Sequence, residues 1–342
     1  MKILITGGCG FVGSNIGIFL KKRLKNSKIY SLDNLKRKGS IVNKNRLKKL
    51  GITNYKINIE NYARLKKLQK FNLIIDCCAE PAIEMSKKDP DLVFETNLIG
   101  TFNILKKCLK DRSNLIFLSS SRVYSIKYLR KLVKKLSINK PIKKISKISE
   151  NFVTSEPSSL YGFTKLASEK LIKEFFYEKN SKYLINRFGV IAGPWQFGKQ
   201  DQGFVPLWVA KHFLKGKLNY IGFGGKGHQV RDVLHIDDVC KIIFLQIKKL
   251  NKIYNNTFNI GGGMKSFTSL KHLTNLCQEY TGNKIKIGKI IKTSSFDIPL
   301  YISDNSKVYK LYGWKPYKKI ENIVEDIYTW IYNNKKIWKF FK

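Results

Sequence analysis

Two short stretches of the chain carry side chains suited to proton transfer and to holding a phosphate. In Tyr161-Gly162-Phe163-Thr164-Lys165 a phenol and an ammonium stand four residues apart, a spacing that puts both on one face of a helix. An ammonium beside a phenol favours the phenolate and lowers its pKa. Tyr161 is therefore read as a general acid/base toward a hydroxyl or carbonyl near neutral pH. Upstream, Phe117-Leu118-Ser119-Ser120-Ser121 offers hydroxyls at the end of an apolar run. The second stretch is Thr6-Gly7-Gly8-Cys9-Gly10-Phe11-Val12-Gly13, which follows a strand-like run and opens a helical pattern. Gly7, Gly10 and Gly13 allow a tight turn and a close backbone approach to a pyrophosphate, with helix amides supplying donors. Asp33 lies about 20 residues on, at the end of the next apolar run. Its carboxylate would accept from adenosine ribose hydroxyls and repel a 2′-phosphate, so NAD is expected over NADP; Lys36 and Arg37 nearby weaken that preference.

These residues need elements to hold them. Short apolar runs predict strands over Lys2–Thr6, Lys28–Leu32, Tyr55–Ile59, Leu73–Cys77, Leu115–Leu118 and Tyr183–Arg187, with Phe258–Ile260 as one more. Between them, Ile16, Phe19, Leu20 and Leu24 recur at helical spacing, and Glu95–Lys110 and Leu166–Glu178 read as further amphipathic helices. Strands and helices in alternation predict an α/β fold with a parallel sheet covered on both faces. Beyond about Arg187, Gly and Pro become frequent, which predicts a smaller C-terminal lobe with long functional loops. The expected division is 1–187 with about 233–262 in one domain, and 188–232 with 263–342 in the other.

Together these motifs resemble the extended short-chain dehydrogenase/reductase family of nucleotide-sugar enzymes, over nearly the whole chain. The resemblance implies a Rossmann doubly wound sheet with a C-terminal substrate-binding lobe. It makes Ser120, three residues before Val123, the third catalytic group beside Tyr161 and Lys165. It extends the cofactor site to Phe11, Val12, Asn34, Asn58, Ile59, Cys78, Ala79, Asn97 and Ser119, with Tyr161 and Lys165 touching the cofactor as well. It places Glu80, Ser121, Gln196, Phe204 and Arg231 at the substrate, Arg231 on its diphosphate. An ion pair with Asp232 or Asp237 is the alternative role for Arg231. Trp195, Trp208 and Phe204 stand in the substrate loop, with base stacking and core packing both open to them.

Sugar 4,6-dehydratases carry an Asp-Glu pair after the catalytic hydroxyl; here those positions are Ser121 and Arg122, which speaks against a dehydratase. The run from Asp33 to Ser40, the run Gly189–Gln196 followed by Asp201-Gln202-Gly203-Phe204, and Gly224–Asp232 are similar to the paratose 2-epimerase (tyvelose epimerase) branch. Two positions depart from the wider family. Asn58 stands where an acid is often found after the third strand, and Val190 stands where an Asn usually helps hold the substrate diphosphate. The implied activity is epimerisation of a nucleotide-sugar through a keto-sugar, with NAD regenerated and a homodimer as the assembly. A 4-epimerase or 4-keto reductase of the same fold is the first alternative. A catalytically idle NAD-binding protein engaging an anionic partner is the second.

The chain has 342 residues and a formal net charge of +41, carried by 65 Lys plus Arg against 24 Asp plus Glu. Such a charge invites a nucleic-acid partner. Yet Lys is spread along the whole sequence, whereas nucleic-acid binders concentrate charge and use Arg on base edges. A nucleic-acid partner is thus not expected, and the surplus is read as solvated surface. One segment, 125–149, holds nine Lys/Arg and no acid. It is read as a basic surface insertion, either a solvated helix with Leu129, Leu132, Val133 and Leu136 as its stripe, or a docking patch. Six cysteines without a C-x-x-C pair and four scattered histidines predict no metal site. Buried thiols and the absence of a leader-like start predict a reduced, cytoplasmic protein. No apolar run reaches 18 residues, so no membrane span is expected.

Overall fold

The computed structural model describes residues 1–82, 84–135, 147–156, 159–199 and 202–341. Six strands alternate with helices through the first half: β1 (Lys2–Thr6), β2 (Lys28–Leu32), β3 (Thr53–Tyr55), β4 (Leu73–Asp76), β5 (Asn114–Ser120) and β6 (Tyr183–Phe188). With the strand Asn256–Ile260 they form a seven-stranded sheet in the order β3-β2-β1-β4-β5-β6-(256–260). The pairings from β3 through β5 are parallel. β1 and β4 are buried almost throughout, as a strand covered on both faces must be. This is the expected Rossmann-like sheet.

Register decides where the chemistry falls. Thr6 pairs with Leu32 on one side and Asp76 on the other, and Asp76 pairs with Phe117. The strands therefore end level. The glycine turn, Asp33, Cys77-Cys78 and the serines that close β5 all emerge at the carboxyl edge, where the strand order reverses between β1 and β4. Ligands of doubly wound sheets bind at such a reversal.

Three elements differ from their sequence reading. β3 occupies Thr53–Tyr55 rather than Tyr55–Ile59; polar Thr53 and Asn54 hid it, and Asn58 and Ile59 fall in the loop beyond. The helix read over Glu95–Lys110 is interrupted. A π-helical turn, Glu95–Ile99, joins Pro90–Phe94 to Gly100–Asp111. Such wide turns often sit at functional sites, and this one carries Asn97, which is buried. The helix read over Leu166–Glu178 spans Leu160–Phe176 and starts one residue before Tyr161, capped by the Ser159 hydroxyl accepting from the Gly162 amide.

The chain divides into two compact units. The first comprises Met1–Val123, Ser159–Arg187 and Val239–Phe258; the second comprises Tyr124–Ser158, Phe188–Asp238 and Asn259–Lys342. The boundary thus falls differently from the sequence reading, which left 124–158 with the first domain. The cause is visible inside the second unit: Tyr124 stacks on Tyr301 and its hydroxyl donates to Asn259, and Ile148 bridges to Ser303. That unit is built on the strand Val230–His235, which pairs with Val190–Ala192, Phe267–Ser269 and Leu300–Tyr301. Its apolar core gathers side chains of the helices Phe204–Phe213, Leu270–Thr281 and Ile320–Tyr332. Within the basic segment, Ile126–Lys135 is helical and Leu129 is buried; residues 136–146, Leu136 among them, lie outside the described residues. Among the described residues no helix is long and apolar enough to cross a membrane.

Candidate active site

The phosphate end of the first unit is backbone. Gly7 turns the chain after β1 with φ +58°, a region glycine enters without strain. A Cβ there would stand 2.9 Å from the Cys77 carbonyl oxygen. A Cβ on Gly13 would stand 2.5 Å from the Gly7 carbonyl oxygen. The helix Phe11–Arg23 begins at Gly10 with no side-chain cap, so the amides of Phe11, Val12 and Gly13 face an unclaimed helix N-terminus. Asp33 accepts from the Cys9 amide at 3.0 Å and the Leu35 amide at 2.8 Å. Burial raises its carboxyl above the ordinary value, against those two amides and Arg37. Asn34 caps its own loop, accepting from the Lys36 amide. Arg37 forms an ion pair with Glu80, 2.6 Å long. Asn58 is exposed at a hollow of about 530 Å³ that Lys36, Glu60, Tyr62 and Leu92 also line, and Ile59 is buried behind it. A glycine cradle, a fixed acid at the end of β2 and an open polar hollow beyond β3 fit a dinucleotide.

The catalytic candidates come from β5 and the helix Leu160–Phe176. A Cβ on Gly162 would stand 2.3 Å from the Arg122 carbonyl oxygen, so only glycine lets the helix start close onto the turn Ser121–Val123. That closeness brings Tyr161 to Ser120. The phenol is buried, and burial pushes its pKa up; the Ser120 hydroxyl, as hydrogen-bond partner, then Arg122 and Arg37 draw it down, and Glu80 pushes it up again. In the structure Arg122 and Arg37 are the cations that count most at the phenol, and the Lys165 ammonium lies 3.9 Å from the centroid of the Phe117 ring. Burial lowers the Lys165 pKa, and Asp76 is the strongest of the groups opposing that. Lys165 is 1% exposed, and among the described residues its ammonium has no hydrogen-bond acceptor. A buried ammonium with donors to spare suits ribose hydroxyls.

Other expected contacts are committed within the protein. Ser119 donates to Glu169 at 2.5 Å, and Arg187 holds the same carboxylate through its Nε and an Nη at 2.6–3.1 Å; all three side chains are buried. Asn97 accepts from the Glu80 amide and donates to the Glu80 carbonyl and Thr164 hydroxyl. The Glu80 carboxylate accepts from Arg37 and the Ala82 amide. Cys78 and Ala79 border the glycine turn, the Cys78 amide donating to Thr6 and Asp76. Ser121 opens the turn after β5, half-buried.

The second unit holds the remaining candidates. Gln196 donates to the Ile191 carbonyl at 3.3 Å, and its buried Oε1 has no hydrogen-bond partner among the described residues. Phe204 packs against the apolar core, and Trp195 lies against Trp330. Trp208 is core, its indole donating to Thr274. Arg231 pairs with Asp297, at 2.7 Å, and donates to the Val230 carbonyl. Asp297 was missed in sequence, where 66 residues separate the partners. Arg130, from the basic helix, donates to the Asp297 and Ser294 carbonyls, so the helix is tied to that loop. Asp201 lies outside the described residues. Among the described residues no His/Cys/Asp/Glu group could hold a metal ion.

A family model described as the NAD dependent epimerase/dehydratase family matches residues 3–261. The CDP-paratose 2-epimerase of Salmonella typhi is 29% identical, across 96% of this chain and 99% of its own length. The UDP-glucose 4-epimerase of Halalkalibacterium halodurans is 26% identical, across 96% and 95%. Among solved structures, the UDP-glucose 4-epimerase of Thermotoga maritima superposes with TM-score 0.82 at 24% identity, covering 98% of this chain and all of its own, which speaks for the shared fold.

Proposed function

The chain belongs to the NAD dependent epimerase/dehydratase family, and from that premise we propose that it epimerises a nucleotide-activated sugar, with a CDP-sugar of the paratose type as its first candidate substrate. The observation that carries this reading is the buried Ser120–Tyr161 contact with Lys165 one helical turn away. The substrate class follows the likeness to CDP-paratose 2-epimerase over nearly the full length of both chains, and the runs Gly189–Gln196 and Gly224–Asp232 agree with it.

Bound NAD supplies the hydride acceptor for transient oxidation of a sugar carbon and the donor that re-reduces the ketone on its other face. Gly7–Gly13 and the amides of Phe11–Gly13 hold its diphosphate, Asp33 its adenosine ribose, and Lys165 its nicotinamide ribose. The Tyr161 phenolate takes the proton from the sugar hydroxyl and, as the phenol, returns it when the ketone is re-reduced. Ser120 donates to the same sugar oxygen and fixes its distance from the phenol. Burial favours the neutral phenol, and the Ser120 hydrogen bond, then Arg122 and Arg37, favour the phenolate against it. At the position where a dehydratase carries its Glu, the Arg122 guanidinium cannot accept a proton, so elimination is not supported. Arg231 offers a planar fork to the substrate diphosphate.

A UDP-sugar 4-epimerase is the second reading, favoured by the full-length similarity to such an enzyme. A panel of CDP-, UDP- and GDP-sugars, incubated with purified protein without added cofactor and read by NMR, decides between them. An epimer from a CDP-sugar supports the first reading, one from a UDP-sugar the second. No epimer from any sugar sinks both.

A further inference from the structure

One buried acid in the first unit is used by neither reading. Asp76 closes β4 and is fully buried. Its Oδ1 accepts from the Thr6 hydroxyl, in a short contact, and from the Cys78 amide at 3.2 Å. Its Oδ2 has no hydrogen-bond partner among the described residues. A carboxylate taken out of water is costly unless paired or fully hydrogen-bonded.

The sheet register shows what stands opposite. Thr6, Asp76 and Phe117 are paired residues on β1, β4 and β5, and directly paired residues project from the same face of a sheet. The Lys165 ammonium lies over the Phe117 ring, 3.9 Å from its centroid. So Lys165 descends on the face from which Asp76 projects. A buried ammonium without an acceptor and a buried carboxylate with a spare oxygen share one small region. Each offsets the charge that burial penalises in the other, whereas a single buried charge left alone is strongly destabilising.

We propose that Asp76 is the positioning residue of Lys165: a buried counter-charge, held by Thr6 and the Cys78 amide, that keeps the ammonium charged and in place as a donor to the cofactor ribose. This rests on the reading of Lys165 as that donor. The groups facing Lys165 are Asp76 on β4, Cys77 and Cys78 just beyond it, and Glu169 on its own helix. The Glu169 carboxylate is already claimed by Ser119 and Arg187, and thiols carry no charge when burial raises their pKa. That leaves Asp76.

The test is the pH dependence of NAD+ affinity, measured calorimetrically on the full chain stripped of nucleotide. In the native protein the dissociation constant rises on the alkaline side as Lys165 loses its proton. Lys165→Gln removes that rise. Asp76→Asn keeps size and the acceptor for Thr6 but removes the charge, so the rise begins roughly one to three pH units lower, the range for losing a close opposite charge. In the Lys165→Gln background Asp76→Asn has no further effect on the pH profile. Thr6→Val leaves the carboxylate but removes its hydroxyl donor, and moves the rise in the same direction by less; it serves should Asp76→Asn fail to fold. Profiles for Asp76→Asn and Thr6→Val that superimpose on the native one, while Lys165→Gln has lost its rise, overturn the counter-charge. A rise that survives Lys165→Gln overturns the ribose reading and the proposal with it.

Discussion

The carboxyl edge of the sheet in the first unit and the Arg231 region of the second solve different problems in different ways. At the sheet edge, polar groups are tied to partners close to the strand ends: Thr6 to Asp76, Ser119 to Glu169, Glu80 to Asn97. Around Arg231 the ties run across long loops: Asp297 pairs the guanidinium, and Arg130 grips the backbone of the same loop. The first arrangement fixes atoms for chemistry. The second holds a surface whose partners a loop change could replace. On the proposed function, the groups that do the chemistry and the groups that choose the substrate lie in separate parts of this chain.

Four substitutions sharpen or break that contrast, from the largest effect to the smallest. Tyr161→Phe removes the proton carrier and lowers kcat by roughly 10²–10⁴-fold with the fold intact; steady-state rates and a circular dichroism spectrum check both halves. An active Tyr161→Phe would break the contrast at its root. Arg187→Met leaves Glu169 buried with Ser119 as its one hydrogen-bond partner among the described residues. Removing one member of a buried ion pair costs about 3–5 kcal/mol, so denaturant melts should show that loss, and an unchanged midpoint would mean the triad does not stiffen the sheet edge. Arg231→Met raises KM for the nucleotide-sugar about 10–100-fold, equivalent to the roughly 1.5–3 kcal/mol of a charged hydrogen bond. It leaves kcat nearly unchanged; a fall in kcat of the same size would put Arg231 in the chemistry.

The smallest effect concerns pH. Asp232 is buried, and burial raises its carboxyl to about 6. A carboxyl whose folded pKa lies above its unfolded value stabilises while protonated. Stability from this group is therefore greatest near pH 4 and lost as pH rises to about 6. Asp232→Asn should flatten that decline, by on the order of 2 kcal/mol between pH 4 and 7, and equal slopes in the two proteins would refute it.

The same contrast explains what the sequence discloses. The glycine turn, Asp33 and Tyr161-x-x-x-Lys165 are legible because each is short, local and flanked by strand or helix signals. The start of the catalytic helix at Leu160 was not, because its cap Ser159 and helix-disfavouring Gly162 obscure the periodicity, and Gly162 is there for its close approach to Arg122. Asn97's burial depends on a π-turn that no apolar pattern marks. Spacing tells which face the Lys165 side chain shares with Tyr161, not where a long side chain ends; here its ammonium lies over Phe117. Asp297 and Arg130, far from Arg231 in sequence, carry no local signal at all. The +41 charge first suggested a polyanion partner, and neither region draws on it beyond a few Arg and Lys.

The central claim is transient oxidation at one sugar carbon by the Ser120–Tyr161–Lys165 set, with the hydrogen kept inside the site. The most direct test uses a nucleotide-sugar deuterated at the reacting carbon, turned over in ordinary water without added cofactor and followed by NMR. The expected product is an epimer that retains its deuterium, with no net build-up of reduced cofactor. An epimer that has exchanged that deuterium for solvent hydrogen would contradict that claim.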